Sequence, residues 1–354
     1  MATATVDVEP GTNLKQRVDL VLGEFVETET GHLLAIDEDL RPVADQLRIA
    51  TAHGKRLRAA FCYWGWRATG QPDSAALVRA AAAMELVHAA AVVHDDLIDN
   101  SRLRHGLPTA HLALRDAMAG RPRPDGAARS LAMLTGDLLM SWAGQLFTDS
   151  GLPAAYLARA RLLWPVLARE LVAGECLEIL RTGARPDVDA SLEVIRYKTA
   201  KYTVEHPLHI GGVLGGASAE LRECFTAYAL PLGEAFQLRD DLLGVFGDPD
   251  RTGKANTDDI AAARPTVLVA LAWHAATGAE RRDLRRLLGS RRAEAEGLER
   301  VRTIMRRTGA PARVERMVAD RVGTAVDVVR RAPLPGGTAE ALVELAHTAT
   351  VRQS

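Results

Sequence analysis

The feature that most constrains this chain is its punctuation. Long runs of alanine, leucine, arginine and glutamate, all good helix formers, are broken at helix-length intervals by glycine and proline. The breaks fall at Gly70-Gln71-Pro72-Asp73, Arg121 to Gly126, Ser150 to Pro153, Gly183 to Pro186, Gly247-Asp248-Pro249, Gly309-Ala310-Pro311 and Pro333 to Gly337. Alternating runs of β-branched residues are almost absent, so strands have little to form from. The pattern predicts one all-α domain over residues 16–354, built from about ten or more helices, preceded by a loose tail over residues 1–15. The charged stretch from Gly278 to Arg307 reads as solvated surface helix.

Charge and cysteine usage exclude several classes of function. Lysine and arginine number 44 against 45 aspartates and glutamates, so no global field calls for nucleic acid or an anionic membrane. Anion binding must come from local clusters. Cys62, Cys176 and Cys224 show no CxxC or zinc spacing and read as free thiols of a reducing, cytoplasmic compartment. The first eleven residues lack an apolar core and do not read as a signal peptide. No run of about 18 apolar residues is present, so no membrane span is expected. Ala75 to Val93 comes nearest and is interrupted by Arg79, Glu85 and His88.

That same stretch carries the first cluster of chemistry. Ala75 to Asp99 reads as one helix capped by Asp73 or Ser74. On it His88, Val92, Asp95 and Asp99 step by four, three and four, which puts them on one stripe with Asp96 beside it. Three carboxylates within one turn repel one another unless a cation compensates. Carboxylate oxygens suit Mg²⁺, which keeps places in its shell for water and phosphate oxygens. A solvated helix end is the plainer alternative. Arg102, Arg104 and His105 follow directly, as salt-bridge partners or as phosphate hands.

A second cluster, Gly233 to Gly247 (GEAFQLRDDLLGVFG), places Gln237, Asp240 and Asp241 on neighbouring helical positions, with Gly253-Lys254 after it. His53-Gly54-Lys55-Arg56-Leu57-Arg58 sets three cations beside a glycine, and Lys198-Thr199-Ala200-Lys201 is a weaker basic group. Each alone is as readily structural as functional. Together, two carboxylate clusters and several cationic ones point to Mg²⁺ and diphosphate, and the alanine-rich helices suggest an apolar remainder on the substrate.

In this order the motifs resemble the trans-isoprenyl (polyprenyl) diphosphate synthases. They are GKRLR at Gly54–Arg58, ELVHAAAVVHDDLID at Glu85–Asp99, RHGLPT at Arg104–Thr109, GD at Gly136–Asp137, KTA at Lys198–Ala200 and FQLRDDLLGVFGDPDRTGK at Phe236–Lys254. The resemblance runs from His53 to about Thr266. It implies the isoprenoid synthase fold, mostly antiparallel helices around a central cavity, in a Mg²⁺-dependent homodimer. The activity implied is condensation of isopentenyl diphosphate with dimethylallyl, geranyl or farnesyl diphosphate. Carried over residue by residue, it implies metal ligation by Asp95, Asp96, Asp99, Asp240 and Asp241. Lys55, Arg58, His88 and His105 match positions that hold isopentenyl diphosphate. Arg104, Lys198, Thr199, Gln237 and Lys254 match positions that hold the allylic diphosphate.

Three positions depart from the family pattern: His105 stands for the second arginine of RRG, Gly244 for a third acid after Asp240-Asp241, and Arg264 where lysine is frequent. Going backwards from Asp95, Val87, Ala90 and Ala91 are expected to wall the path of the growing chain, at about 5.4 Å per helical turn. Small residues there leave room for geranylgeranyl diphosphate, although they equally permit close helix packing. Three rival readings are open: a class I terpene cyclase, an HD-type phosphohydrolase built on His94-Asp95, and a non-catalytic subunit of the same fold. The cyclase lacks a need for Lys55 and Arg58, the phosphohydrolase leaves Asp99 and DDLLG unexplained, and the complete first motif speaks against the subunit.

Overall fold

The computed structural model describes residues 13–248, 263–289 and 295–350. They are almost entirely helical and divide into two compact units. One holds the residues up to Tyr63, Pro72–Asn100 and Thr109–Leu157; the other holds Trp64–Gln71, Ser101–Pro108 and the chain from Ala158 onward.

The first unit opens with α1 (Leu14–Ile36), two residues before the domain start expected at residue 16. Asn13 accepts a hydrogen bond from the Gln16 amide at 2.9 Å, and Gln16 Oε1 accepts one from the Asn13 amide at 3.2 Å. This capping box satisfies two amides the first turn cannot. α2 (Arg41–Ala52) and α3 (Leu57–Arg67, which runs on into the second unit) follow. α4 (Ala75–Ile98) is the core helix, with Ser74 rather than Asp73 as its N-cap. α5 (Ala110–Ala117) and α6 (Pro124–Thr148) complete most of this unit.

α4 and α6 pack through small residues. Gly136 and the alanines Ala128, Ala132 and Ala143 are buried on α6, and α4 is buried all round at Ala80 to Ala83, with Ala89 and Ala90 also at most 4 % exposed. At Gly136 the approach is so close that a Cβ would lie 2.2 Å from His94 Nε2. Larger apolar groups of α4 are buried too: Leu77, Met84 and Leu86 are at most 1 % exposed, each contributing roughly 1.5–3 kcal/mol of burial. α4 is long and apolar enough to cross a membrane by composition, yet 72% of its most apolar window is buried inside the protein. Asn100, at φ 55°, ends the helix in the left-handed conformation that asparagine tolerates.

In the second unit α7 (Ala154–Ala160, begun in the first) leads to α8 (Leu163–Arg181) and α9 (Val188–Ile195). The chain then widens, without a break, into a π-helical segment over Arg196–Glu205 and tightens again into α10 (His206–Gly215). α11 (Ala219–Phe246), capped by Ser218, packs on this segment and on α15, where α15 is Ala310–Arg331. α12 (Val267–Ala275), α13 (Gly278–Leu287), α14 (Ala295–Arg307) and α16 (Thr338–Thr350) complete it. Leu238, Val267, Leu268, Val301, Ile304, Met305 and Val314 form its core, all fully buried. The stretch from Gly278 to Arg307 is therefore not plain surface helix. It holds two amphipathic helices whose Leu284, Val301, Ile304 and Met305 are fully buried beneath a charged outer face.

The only strands among the described residues are a two-rung hairpin, Leu103–Arg104 with Leu107–Pro108. Its two-residue loop, His105-Gly106, has positive φ at both positions, 52° and 78°, as a type I′ turn requires.

Candidate active site

The stripe expected on α4 is present. His88, Val92, Asp95 and Asp99 are each half-buried, whereas Ala89, Ala90, Val93 and Asp96 between them are buried. The Asp99 amide donates to the Asp95 carbonyl at 2.9 Å, so the two acids sit one turn apart at the helix end. Arg129 of α6 donates to the Leu97 carbonyl at 3.2 Å and to Asn100 Oδ1 at 3.4 Å, which places a cation where the helix dipole is negative. Asp96 points inward, only 4% exposed. Its charge raises the pKa of His111, but burial and the nearby Arg129 outweigh it and leave that imidazole below its ordinary value.

His94 is engaged otherwise than a metal-bound His-Asp pair requires. It packs over Gly136, with Nε2 3.1 Å from the Met133 carbonyl and 3.4 Å from Asp137. The GD pair thus belongs to the α4–α6 contact. Of the wall candidates, Val87 and Ala90 are at most 1 % exposed, while Ala91 lies on the half-buried side with His88 and Asp95.

The basic loop before α3 divides its labour. Arg56 is a structural anchor: it donates to Asp19 at 2.6 Å, to the Thr51 carbonyl at 2.7 Å and to the His53 carbonyl at 3.0 Å. Lys55 is exposed and Arg58 buried. The Ala59 amide donates to the buried Glu85 carboxylate at 2.9 Å. An acid at a helix N-terminus is favourable. This one docks the start of α3 on α4 one turn before His88.

In the second unit Arg104 is half-buried on the hairpin and His105 exposed at its tip. Lys198 and Thr199 lie on the π-helical segment between α8 and α11. Lys198 is bracketed by two α8 acids, Glu175 at 2.8 Å and Glu178 in direct contact. Thr199 donates to Gln237 Oε1 at 2.8 Å, and Gln237 Nε2 donates to Asp241 Oδ1 at 2.9 Å. The structure thus joins Thr199, Gln237 and Asp241 in one hydrogen-bonded array, with Lys198 beside Thr199 in the chain and Asp240 beside Asp241 on α11. Lys254 lies outside the described residues, and Arg264 is half-buried just ahead of α12.

Two glycines permit this array. A Cβ at Gly174 of α8 would lie 2.3 Å from the Lys198 nitrogen, and one at Gly233 of α11 would lie 2.3 Å from Ala200 Cα. Sequence reasoning missed the α8 acids Glu170, Glu175 and Glu178. Their signal is an acid every three to five residues in an otherwise apolar helix (LWPVLARELVAGECLEILR), matched by the two lysines of KTAK.

Hard oxygen donors one turn apart on α4 and paired on α11 fit Mg²⁺. Arg58, Lys198 and the other cations fit phosphate oxygens. An all-α frame carrying these two sets of groups is chemically suited to metal-assisted reaction of diphosphates. Comparison with known proteins narrows the class. Residues 42–305 match the family model of polyprenyl synthetase. The chain is 30% identical over 305 residues to the geranylfarnesyl diphosphate synthase of Aeropyrum pernix, spanning 84% of this chain and 90% of the other. It is 31% identical over 349 residues to the (2E,6E)-farnesyl diphosphate synthase of Mycobacterium bovis, spanning 96% and 90%. The crystal structure of geranylgeranyl pyrophosphate synthase from Corynebacterium glutamicum, complexed with isoprenyl diphosphate and magnesium, superposes with a TM-score of 0.91 at 32% identity over 96% of this chain and 99% of that one.

The chain belongs to the polyprenyl synthetase family, the trans-isoprenyl diphosphate synthases, and is a prenyltransferase. The phosphohydrolase reading is set aside.

Proposed function

We propose that this enzyme condenses isopentenyl diphosphate with an allylic diphosphate and releases geranylgeranyl diphosphate. The observation that carries the reading is the joined array of Thr199, Gln237 and Asp241, next in the chain to Lys198 on one side and Asp240 on the other. With Lys198 it supplies cationic, hydroxyl and amide donors for a diphosphate next to metal-ligating carboxylates.

Asp95 and Asp99 on α4, supported by Asp96, and Asp240 on α11, with Asp241 beside it, are the residues that would hold Mg²⁺. When bound, Mg²⁺ supplies charge stabilisation for the departing diphosphate. Lys198, Thr199, Arg104, Gln237 and Lys254 grip the allylic diphosphate, and their donors strengthen as negative charge develops on the leaving oxygen. The allylic C–O bond breaks, with its electron pair leaving on the diphosphate. Lys55, Arg58, His88 and His105 hold isopentenyl diphosphate so that its double bond meets the allylic carbon. A carbon–carbon bond forms, and the resulting cation loses a proton to the released diphosphate. No side chain is assigned as general base. Apolar walls exclude water, which would otherwise quench the cation.

The half-buried Ala91, one turn before Asp95, supports an open path for a long product. Exposed apolar side chains on α6 (Met133, Leu134) and α8 (Val172, Leu180) support the homodimer that the family implies. The exposed, unbridged Cys176 suits a reducing cytoplasm.

The test is a product assay by mass spectrometry, with purified protein, Mg²⁺, isopentenyl diphosphate and each of the three allylic primers. The expected product is geranylgeranyl diphosphate, and Asp95→Ala is expected to lose at least ~10³-fold in kcat with its helical circular dichroism intact. Hydrocarbon formed from a primer alone would favour the cyclase instead, and a folded wild type without turnover the non-catalytic subunit.

A further inference from the structure

The π-helical segment Arg196–Glu205 is the least ordinary backbone among the described residues. Wide i→i+5 turns rarely persist beyond one turn and need external ties; here the His206 amide reaches back to the Lys201 carbonyl. The ties come from α8 in a ladder. Glu170, Gly174 and Glu178 recur every four residues, so they share one face of that helix. Gly174 is where the two backbones touch. Towards the C-terminus of α8, Glu178 and Glu175 hold Lys198. One turn on the other side of Gly174, Glu170 holds Lys201 at 3.1 Å and accepts from His206 Nε2 at 2.7 Å.

The Glu170 end of the ladder is a closed polar network. Lys201 also meets Glu205 at 3.3 Å. Glu205 Oε1 accepts from the Thr226 hydroxyl at 2.9 Å, and Thr226 lies 3.0 Å from His209 Nε2. Since the Thr226 proton goes to the carboxylate, His209 Nε2 must donate. Burial pushes the Glu170 carboxyl up, yet hydrogen bonds from Lys201 and His206 outweigh it and hold it below its ordinary value. Burial also pushes His206 down, further than Glu170 raises it. Glu170 is therefore a charged group that spans the end of the π-helical segment and the first residue of α10.

We propose that Glu170 is a positioning residue for the allylic diphosphate. Through Lys201 and His206 it fixes the π-helical register, and that register presents Lys198 and Thr199 to the substrate. A one-residue slip in a helix turns its side chains by about 100°, enough to carry both away from Gln237. The inference rests on the proposed role of Lys198 and Thr199.

The experiment measures binding rather than turnover. Isothermal calorimetry with Mg²⁺ compares wild type, Glu170→Gln and Lys198→Ala for an unreactive allylic thiodiphosphate and, separately, for isopentenyl diphosphate. Glu170→Gln is expected to weaken the thiodiphosphate about tenfold, the effect of losing one charge-assisted tie. Its affinity for isopentenyl diphosphate should stay unchanged. The double variant Glu170→Gln/Lys201→Met, which removes both charges of that ion pair, should show the same selective loss. Unchanged thiodiphosphate affinity in Glu170→Gln, or an equal loss of both ligands, would overturn the proposal. So would failure of both variants to fold, which would make the network a folding element only. If Lys198→Ala itself binds the thiodiphosphate normally, the role given to Lys198 fails, and with it the premise of the inference. If Lys198→Ala weakens binding and Glu170→Gln does not, only the inference fails.

Discussion

Replacing Gly174 with alanine is the sharpest single test of how this site is built. The added Cβ would stand 2.3 Å from the Lys198 nitrogen and 2.6 Å from its Cα, both backbone atoms, where ordinary contact begins at 3.4 Å. No rotamer can relieve a clash with backbone, so α8 and the π-helical segment must separate by about 1 Å. Overpacking of this kind costs roughly 1–3 kcal/mol, and alanine's better helix propensity returns about 1 kcal/mol of it. The net loss of stability is therefore modest, about 0–2 kcal/mol. The kinetic loss should be larger, because a misplacement of about 1 Å in a substrate-holding group costs on the order of 10²-fold. Urea unfolding gives the first quantity. Steady-state kcat/KM for the allylic primer, at saturating isopentenyl diphosphate, gives the second. Gly23→Ala on α1 is the control, since a Cβ there meets nothing within 4 Å; it should keep full activity. A Gly174→Ala enzyme with wild-type kcat/KM and an unshifted urea midpoint would refute the reasoning.

Two further outcomes are expected. Ala91→Phe, on the half-buried side of α4, should shift the product towards farnesyl diphosphate by mass spectrometry, and an unchanged product distribution would remove Ala91 from the wall. Glu280 is held at a pKa of about 2, below its ordinary 4.5, by the Thr277 amide and hydroxyl and by Arg307. A depressed carboxylate stabilises the fold above its unfolded pKa and loses that contribution as pH falls. The difference in urea midpoint between wild type and Glu280→Gln should thus be constant above pH ~5 and close between about 4.5 and 2; a difference that persists at pH 2 would contradict it.

Much of the helix order was legible because caps and breakers are local. Ser74, Ser218 and Thr266 each cap the helix that follows them, and Gly309-Ala310-Pro311 marks a true boundary. The His88–Asp99 stripe was legible for the same reason, since it depends on helical spacing alone. The π-helical turn was not, because Arg196 to Glu205 carries no signal of its own; its register is imposed by Gly174, Gly233 and Glu170 from elsewhere in the chain. The inward turn of Asp96 and the burial of Ala90 likewise follow from tertiary neighbours. Arg56 illustrates the limit of motif reading. Three cations in GKRLR look alike in sequence, yet this one is tied to Asp19, Thr51 and His53 and belongs to the scaffold.

Where α3 meets α10, contact is made by side chains that are not there. A Cβ at Gly65 would fall 2.2 Å from the Leu208 carbonyl oxygen, and one at Gly215 would fall 2.2 Å from the Thr69 hydroxyl. Such a seam offers nothing to tune: neither its spacing nor its chemistry can be graded by choosing among twenty residues. A mutant library aimed at product length would do well to leave Gly65, Gly212 and Gly215 untouched, since hits there would report on assembly of the scaffold. Diversity is better spent on the helix faces that carry side chains.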